Sequence, residues 1–302
     1  MSIIKFKALE KEDKKILDLF FKDRYYENSH FNFTNLFMWR SPYHIMWAIE
    51  ADVLYMKANW EGKEFAMQPF CDETKLSEAI GKWLAYFREI NQPFYISGIE
   101  KYMAKALEDY EDENFDIHED RDNFDYVYYS EDLIKLAGRR FHSKKNHLNS
   151  FHKNYPEAQY VPITSDIITQ CKLNINAWYK QHSQETPDDP FIETERNAII
   201  EVLNNFDELS LKGGAILIGK RIAAFTFGEQ LNTDTAVIHV EKAAPDVRGA
   251  YPAINQAFIE NDWSHMKYIN REEDMGLEGL RKAKESYRPI KMIKKFNAKI
   301  KE

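Results

Sequence analysis

Two cysteines in 302 residues, Cys71 and Cys171, are too few for a disulfide framework, and no CxxC spacing joins them. No window approaches the roughly 18 to 20 uninterrupted apolar residues that a bilayer-crossing helix needs. The N-terminus, MSIIKFKALEKEDKK, has neither a long apolar stretch nor a small-residue cleavage site, so no export leader is expected. These absences predict a cytoplasmic protein with both thiols reduced. Glycine is also scarce, at 11 residues, which excludes fibrous and low-complexity chains. Positive charge is in deficit overall: a net charge of −8 argues against a protein that coats nucleic acid indiscriminately.

What is present is apolar and aromatic side chain, 44% and 14% of the residues, enough for more than one core at this length. Charge is segregated. Acids dominate from Glu108 to Asp125, whereas every formal charge between Lys135 and Lys153 is positive: Lys135, Arg139, Arg140, Lys144, Lys145 and Lys153. A second basic region begins at Arg281 and includes Lys282, Lys284, Arg288, Lys291, Lys294 and Lys295. A local anion site is therefore compatible with a net acidic chain.

Hydrophobic periodicity predicts one order of elements twice over. The first half reads as a strand over Ile3–Lys7, helices over Lys11–Asp23 and Phe33–Trp39, three short strands (HIMWAI, DVLYMKA, EFAMQP), a helix over Thr74–Ile90, the strand PFYIS, a helix over Glu100–Glu108, and the strands FDIH and YVYYS. In the second half EAQYVPI is a strand, and helices follow over Ile167–Tyr179 and Phe191–Phe206. Then come the strands GGAILIG, RIAAFTFG and TAVIHVEKA, a helix over Pro252–Trp263, the strand MKYIN, a helix over Leu277–Ser286 and a strand over Ile290–Phe296. A three-strand meander followed by a crossover helix and another strand builds a mixed sheet with helices on its faces. That order is characteristic of the GNAT acyltransferase fold. The expectation is an α/β chain of two tandem GNAT-like domains, 1–135 and 157–302, joined by a basic helix over 136–156.

Four segments carry candidate chemistry. In LAGRRFHSKKNHLNSF, helical spacing sets His142, Lys145, Asn146, Asn149 and Lys153 on one face, and Phe141, Leu148, Phe151 and Tyr155 in an apolar stripe. The cationic face reads either as a phosphate-recognising surface or as a solvated linker. His142, His147 and His152 recur every five residues, which turns each by roughly 140° from the last, so they cannot converge on one metal ion and none is expected. In TAVIHVEKA, alternation sends Val237, His239 and Glu241 to one face and Lys242 to the other. His239 and Glu241 side by side could move a proton; equally, the strand end could be solvated there.

Acyl-CoA users of this fold follow that strand with a Q/R-x-x-G-x-G/A turn whose amides hold the pyrophosphate. The matching window here is DVRGAY. Asp246 places a negative charge where a cation or amide is usual, Tyr251 adds bulk, and Gly249 alone survives. In YINREEDMGLEGLRKAKESYRP, Arg281, Lys284 and Arg288 share a helix face if helical geometry persists, beside Asn270 and Arg271. They could hold a phosphate or carboxylate, or be neutralised in surface pairs by Glu272, Glu273 and Asp274.

Together GRRFHSKKNHLNSF, HVEKA and NREEDMGLEGLRKAKESYRP resemble the signature blocks of the DUF2156 family, which is similar to the C-terminal domain of phosphatidylglycerol lysyltransferases and, more distantly, to Fem-type aminoacyl transferases. The resemblance spans essentially the whole chain. It implies a transferase that takes an aminoacyl group from aminoacyl-tRNA and delivers it to an amine or hydroxyl of a lipid headgroup, small molecule or peptide, with no cofactor. Coenzyme A as donor, or a non-catalytic anion- or tRNA-binding module, are the alternatives. By motif position the substrate-binding candidates are Arg139, Arg140, Lys144, Lys145, Asn146, His147, Asn270, Arg271, Asp274, Arg281 and Lys284; His239, Glu241 and Lys242 are the catalytic ones. Unlike the lipid-modifying members, this sequence is expected to carry no membrane-spanning half.

Overall fold

The computed structural model describes residues 4–22, 25–185 and 190–301. Ile3 and Asp23, which bound the first expected strand and helix, lie outside them. The chain divides into two compact units, and each is built on its own mixed seven-stranded sheet.

The first unit comprises 1–125, 273–276 and 293–302. Its elements begin with β1 (Lys7–Ala8), α1 (Lys14–Lys22) and α2 (Phe33–Trp39), continue through the meander β2 (Met46–Glu50), β3 (Val53–Trp60) and β4 (Lys63–Ala66), and then run to α3 (Leu76–Glu89), β5 (Tyr95–Ile99), α4 (Lys101–Glu108) and β6 (Phe115–Glu119). Local chemistry sets several boundaries. Asn32 caps α2 by accepting from the Asn35 amide, an orphan donor of the first turn. Leu76, Ile80, Trp83, Leu84 and Phe87 of α3 are buried at helical spacing, so this helix carries the core on one face.

In the second unit, 126–272 and 277–292, the order is β7 (Asp125–Tyr129), α5 (Ser130–Lys135), α6 (His142–Asn154), β8 (Gln159–Pro162), α7 (Ser165–Glu185) and α8 (Pro190–Asn204). The meander β9 (Lys212–Ile218), β10 (Arg221–Gln230) and β11 (Thr235–Ala243) follows, with α9 (Ala250–Asp262), β12 (Tyr268–Asn270), α10 (Glu278–Glu285) and β13 (Lys291–Ile293); β14 (Phe296–Ile300) ends the chain.

Both sheets have the expected antiparallel meander, crossover helix and parallel strand: β4 runs parallel to β5, and β11 to β12. The domain boundaries need correcting, because the terminal strands change places. β7, expected to close the first sheet, pairs with β12 in the second, and β14 inserts between β5 and β6 of the first. The single strand expected over Ile290–Phe296 is accordingly two, β13 and β14, one in each sheet. Alternation reports which faces a strand buries, not which neighbour it pairs with, so the exchange was invisible to periodicity. The basic helix α6 is no separate linker either. Its Leu148 and Phe151, with Phe141 of the turn just before it, join the second unit's core with Tyr126, Tyr128, Ile254 and Phe258.

Gly249 begins α9 with φ of 87°, and a Cβ there would sit 2.7 Å from the His147 carbonyl of α6. That glycine permits two helices to approach closely.

Candidate functional site

β11 pairs with β12 only from Thr235 to Val237, against Tyr268 to Asn270. β12 ends there, at Asn270, while β11 runs on to Ala243 without a strand neighbour on that side among the described residues. One irregularity decides where its side chains go. Phe227 of β10 faces Val240, and the next residue, Gly228, faces Ile238, so His239 is an extra residue bulged out of β11. A Cβ on Gly228 would lie 2.1 Å from the Val237 carbonyl, so the bulge requires glycine across from it.

The bulge breaks the alternation. Ile238 and Ala243, five residues apart, both join the core around α9. Glu241 is on this α9 face and receives a hydrogen bond from Asn255 Nδ2 at 2.9 Å. His239 is on the other face: its Nε2 lies 3.1 Å from Glu229 of β10, which stands opposite Val237. Lys242 also faces that way, 2.8 Å from both carboxylate oxygens of Glu195 in α8 and 5.3 Å from the Tyr179 ring of α7. The expectation that His239 and Glu241 share a pocket is therefore overturned, since a strict period of two does not survive an inserted residue.

His239 is closed as well as displaced. Its side chain is 1% exposed, with Nδ1 2.8 Å from Glu272 and Nε2 3.1 Å from Glu229. Burial alone would lower its pKa, but the two carboxylates outweigh that and push it up to about 9. With the ring buried and both nitrogens engaged by carboxylates, His239 offers no open nitrogen to a substrate.

Around Glu241 the geometry is different. Arg271, which follows β12, reaches back so that Nη2 lies 3.0 Å from each Glu241 oxygen. Its guanidinium carbon sits 4.7 Å from the Tyr287 ring centroid and 5.7 Å from that of Tyr128. Burial disfavours the Arg271 charge, but Glu241 more than compensates and holds its pKa up. Lys144 Nζ of α6 lies 4.4 Å above the same Tyr287 ring. Burial and the neighbouring Arg271 lower the Lys144 pKa, with Glu241 opposing. Tyr251, from the first turn of α9, is 45% exposed. Burial of its phenol, countered by a hydrogen bond to the Ala243 backbone and reinforced by Glu241 and Glu195, pushes its pKa up to about 12.

The remaining candidates scatter. Arg139, Lys145 and Asn146 are exposed on α6 or its lead-in, and His147 is partly buried. Arg140 is paired with Asp132 at 2.7 Å. Asn270 is buried and accepts from the Glu272 amide, fixing the turn that delivers Arg271. Lys284 donates to the main-chain carbonyls of Arg271 and Glu272, so it buttresses that turn instead of presenting a free charge. Arg281 is partly buried on α10. Arg288 does not continue its face, because α10 ends at Glu285 and Arg288 has φ of 57°. Asp274 belongs to the first unit, buried against Arg121 at 3.2 Å.

Two acids of the third segment engage buried bases. Glu272 holds His239, and Glu273 holds Lys295, itself fully buried and 2.7 Å from Asp125. Glu195 and Asn255 enter from helices with no motif around them, Glu229 from the neighbouring strand, and Tyr287 lies within the third segment but is a ring platform that its charge pattern does not mark.

A cavity of about 330 Å³ opens on the other face, lined by Asn174, Ile175 and Trp178 of α7, the start of β10, and Lys242 to Asp246. Asp246 is held there by Arg221 through two hydrogen bonds of 2.6 and 2.7 Å. Among the described residues no helix is long and apolar enough to cross a membrane.

The family described as phosphatidylglycerol lysyltransferase, C-terminal, matches residues 23–299. The chain belongs to that family. A conserved protein of unknown function from Bacteroides thetaiotaomicron VPI-5482 is 35% identical, covers 99% of this chain and 100% of its own, and superposes with a TM-score of 0.91. The C-terminal domain (DUF2156) of a putative lysylphosphatidylglycerol synthetase from Agrobacterium fabrum, 13% identical over 95% of this chain and 91% of its own, shares the fold with a TM-score of 0.65. An uncharacterized protein of Mycoplasmoides gallisepticum is 26% identical over 206 residues, 68% of this chain and 63% of that relative. The match thus takes in less than two thirds of that curated relative's length. Membership in the lysyltransferase family agrees with the DUF2156 resemblance of the three sequence blocks.

Proposed function

We propose that this chain is an aminoacyl transferase that draws its acyl group from aminoacyl-tRNA in the cytoplasm and passes it to an amine or hydroxyl, a lipid headgroup among the candidate acceptors. The observation that carries the reading is the stretch of β11 beyond the end of β12, where Glu241 is fixed by Arg271 and Asn255 and Lys144 shares the Tyr287 ring with Arg271. Membership in a lysyltransferase family supports the same chemistry.

In this mechanism the acceptor attacks the ester carbonyl, the new C–N or C–O bond forms through a tetrahedral intermediate, and the ribose oxygen departs. Glu241 takes the proton of the attacking group and returns it to the leaving oxygen. Lys144 and Arg271 offset the donor's negative charge, a task for which Lys242 and Lys284 are already committed elsewhere. The exposed cations Arg139, Lys145 and Lys153 extend the positive field along α6.

Two features disfavour acyl-CoA as donor. Asp246 at the usual pyrophosphate turn is retained by Arg221, and Gly249 serves the contact with α6. The test supplies label either on a mixture of aminoacyl-tRNAs or on acetyl-CoA, together with lipid and small-molecule acceptors. Protein-dependent movement of label from RNA into a non-RNA product supports the reading; movement from acetyl-CoA alone overturns it.

A further inference from the structure

Among the described residues of the second unit, one cluster carries more positive than negative charge. Arg271 and Lys144 share the Tyr287 ring, at 4.7 and 4.4 Å from its centroid, and Glu241 is the carboxylate bound to Arg271. Two cations against one carboxylate leave the cluster one charge in excess. Arg271 spends only Nη2 on Glu241. Its Nη1 is buried and, among the described residues, makes no hydrogen bond, and Lys144 makes no ion pair. A buried guanidinium donor without a protein acceptor is uncommon, and an anion is a partner that would satisfy it.

We propose that Lys144 Nζ and Arg271 Nη1, held over Tyr287, form a binding site for a single phosphodiester group of the substrate. A diester carries one negative charge, matching the excess. Its tetrahedral oxygens accept from a fixed guanidinium and from a mobile ammonium together, the division of labour for which arginine and lysine differ. Burial and the charge of Arg271 lower the Lys144 pKa against the opposing pull of Glu241, so an anion bound between Lys144 and Arg271 would favour the charged lysine. The flanking charges on and around α6, Arg139, Lys145 and Lys153, are exposed and all positive, so neighbouring phosphates of the same ligand meet no repulsive carboxylate from that stretch.

The site's place in catalysis rests on the transferase reading, but its occupancy does not, so binding is measured without turnover. The probe is inorganic phosphate, titrated into the full chain and followed by melting temperature and by 31P line broadening. Lys144→Met removes the charge while keeping a stem over Tyr287, Lys144→Arg keeps both, and Lys220→Met removes an equal charge from an exposed position on the β9–β10 turn. The expected result is saturable binding in wild type, Lys144→Arg and Lys220→Met, weakened at least ten-fold in Lys144→Met.

Two further arms then identify the source of the diester: a short CCA-ended RNA, and vesicles of phosphatidylglycerol. Displacement of phosphate by either one, dependent on Lys144, supports the site and names its ligand. Equal phosphate affinity in Lys144→Met overturns it. So does phosphate binding that neither arm displaces, which would mean an adventitious ion only. Intact binding without any transfer would sink the proposed function and leave the site standing.

Discussion

Glu241 accepts from a single nitrogen of Arg271 through both of its oxygens, at 3.0 Å each, while Asn255 donates to one of them from the side. The two charged side chains are 12% and 13% exposed, so they are nearly desolvated. Removing one partner strands the other, at a cost of about 3 to 5 kcal/mol, whereas removing both spares that penalty. Arg271→Met and Glu241→Gln should each lower unfolding stability in urea, and the double variant should be less destabilised than the sum of the two. Additive losses would mean that the pair is not coupled.

His239 makes stability depend on pH in a definite direction. Its pKa is raised from 6.5 to about 9 in the folded chain, so its protonation contributes stability that is complete below about pH 6.5 and is lost as pH rises through 9. Melting temperature should therefore fall between these values, and His239→Gln should flatten that fall. A variant with the wild-type slope would place the dependence elsewhere.

Two glycines hold the site's frame. Gly249→Ala forces a left-handed alanine against the His147 carbonyl, with a strain of roughly 1 to 2 kcal/mol before any overpacking. Gly228→Ala drives a methyl group into the Val237 carbonyl beside the His239 bulge. Both should destabilise by on the order of 2 kcal/mol or more, read as a lower urea midpoint. Gly219→Ala, where φ is 61° but the surrounding space is open, should cost only the left-handed strain.

The exposed face of α6 makes a salt-dependent prediction. If tRNA is the donor, log affinity should fall linearly with log salt, and neutralising Arg139, Lys145 and Lys153 together should reduce the slope by up to about 3, since each phosphate contact contributes just under one. Unchanged slopes would remove α6 from the RNA path.

Which parts of this were readable in the chain follows from what local pattern can encode. The meander of each sheet and the buried stripe of α6 and the turn before it were legible because Phe141, Leu148 and Phe151 repeat at helical spacing and the strands alternate. Arg271 and Glu241 could be picked out by motif, but their contact could not, since 30 residues separate them and Arg271 lies just past the end of β12. The His239 bulge changed the outcome most. One inserted residue sends His239 and Glu241 to opposite faces, and the feature that permits it is Gly228 on a neighbouring strand. The exchange of β7 and β14 was hidden for a similar reason, because apolar residues such as Tyr126 and Tyr128 mark β7 as a core strand without naming its neighbour.

The most direct test is single-turnover loss of label from aminoacyl-tRNA to acceptor, comparing wild type with Glu241→Gln at a low temperature where circular dichroism shows both folded. The account predicts transfer by wild type and a fall of about 100-fold or more in the variant, the range a positioned proton-transfer group supplies. Transfer by Glu241→Gln at the wild-type rate would contradict it.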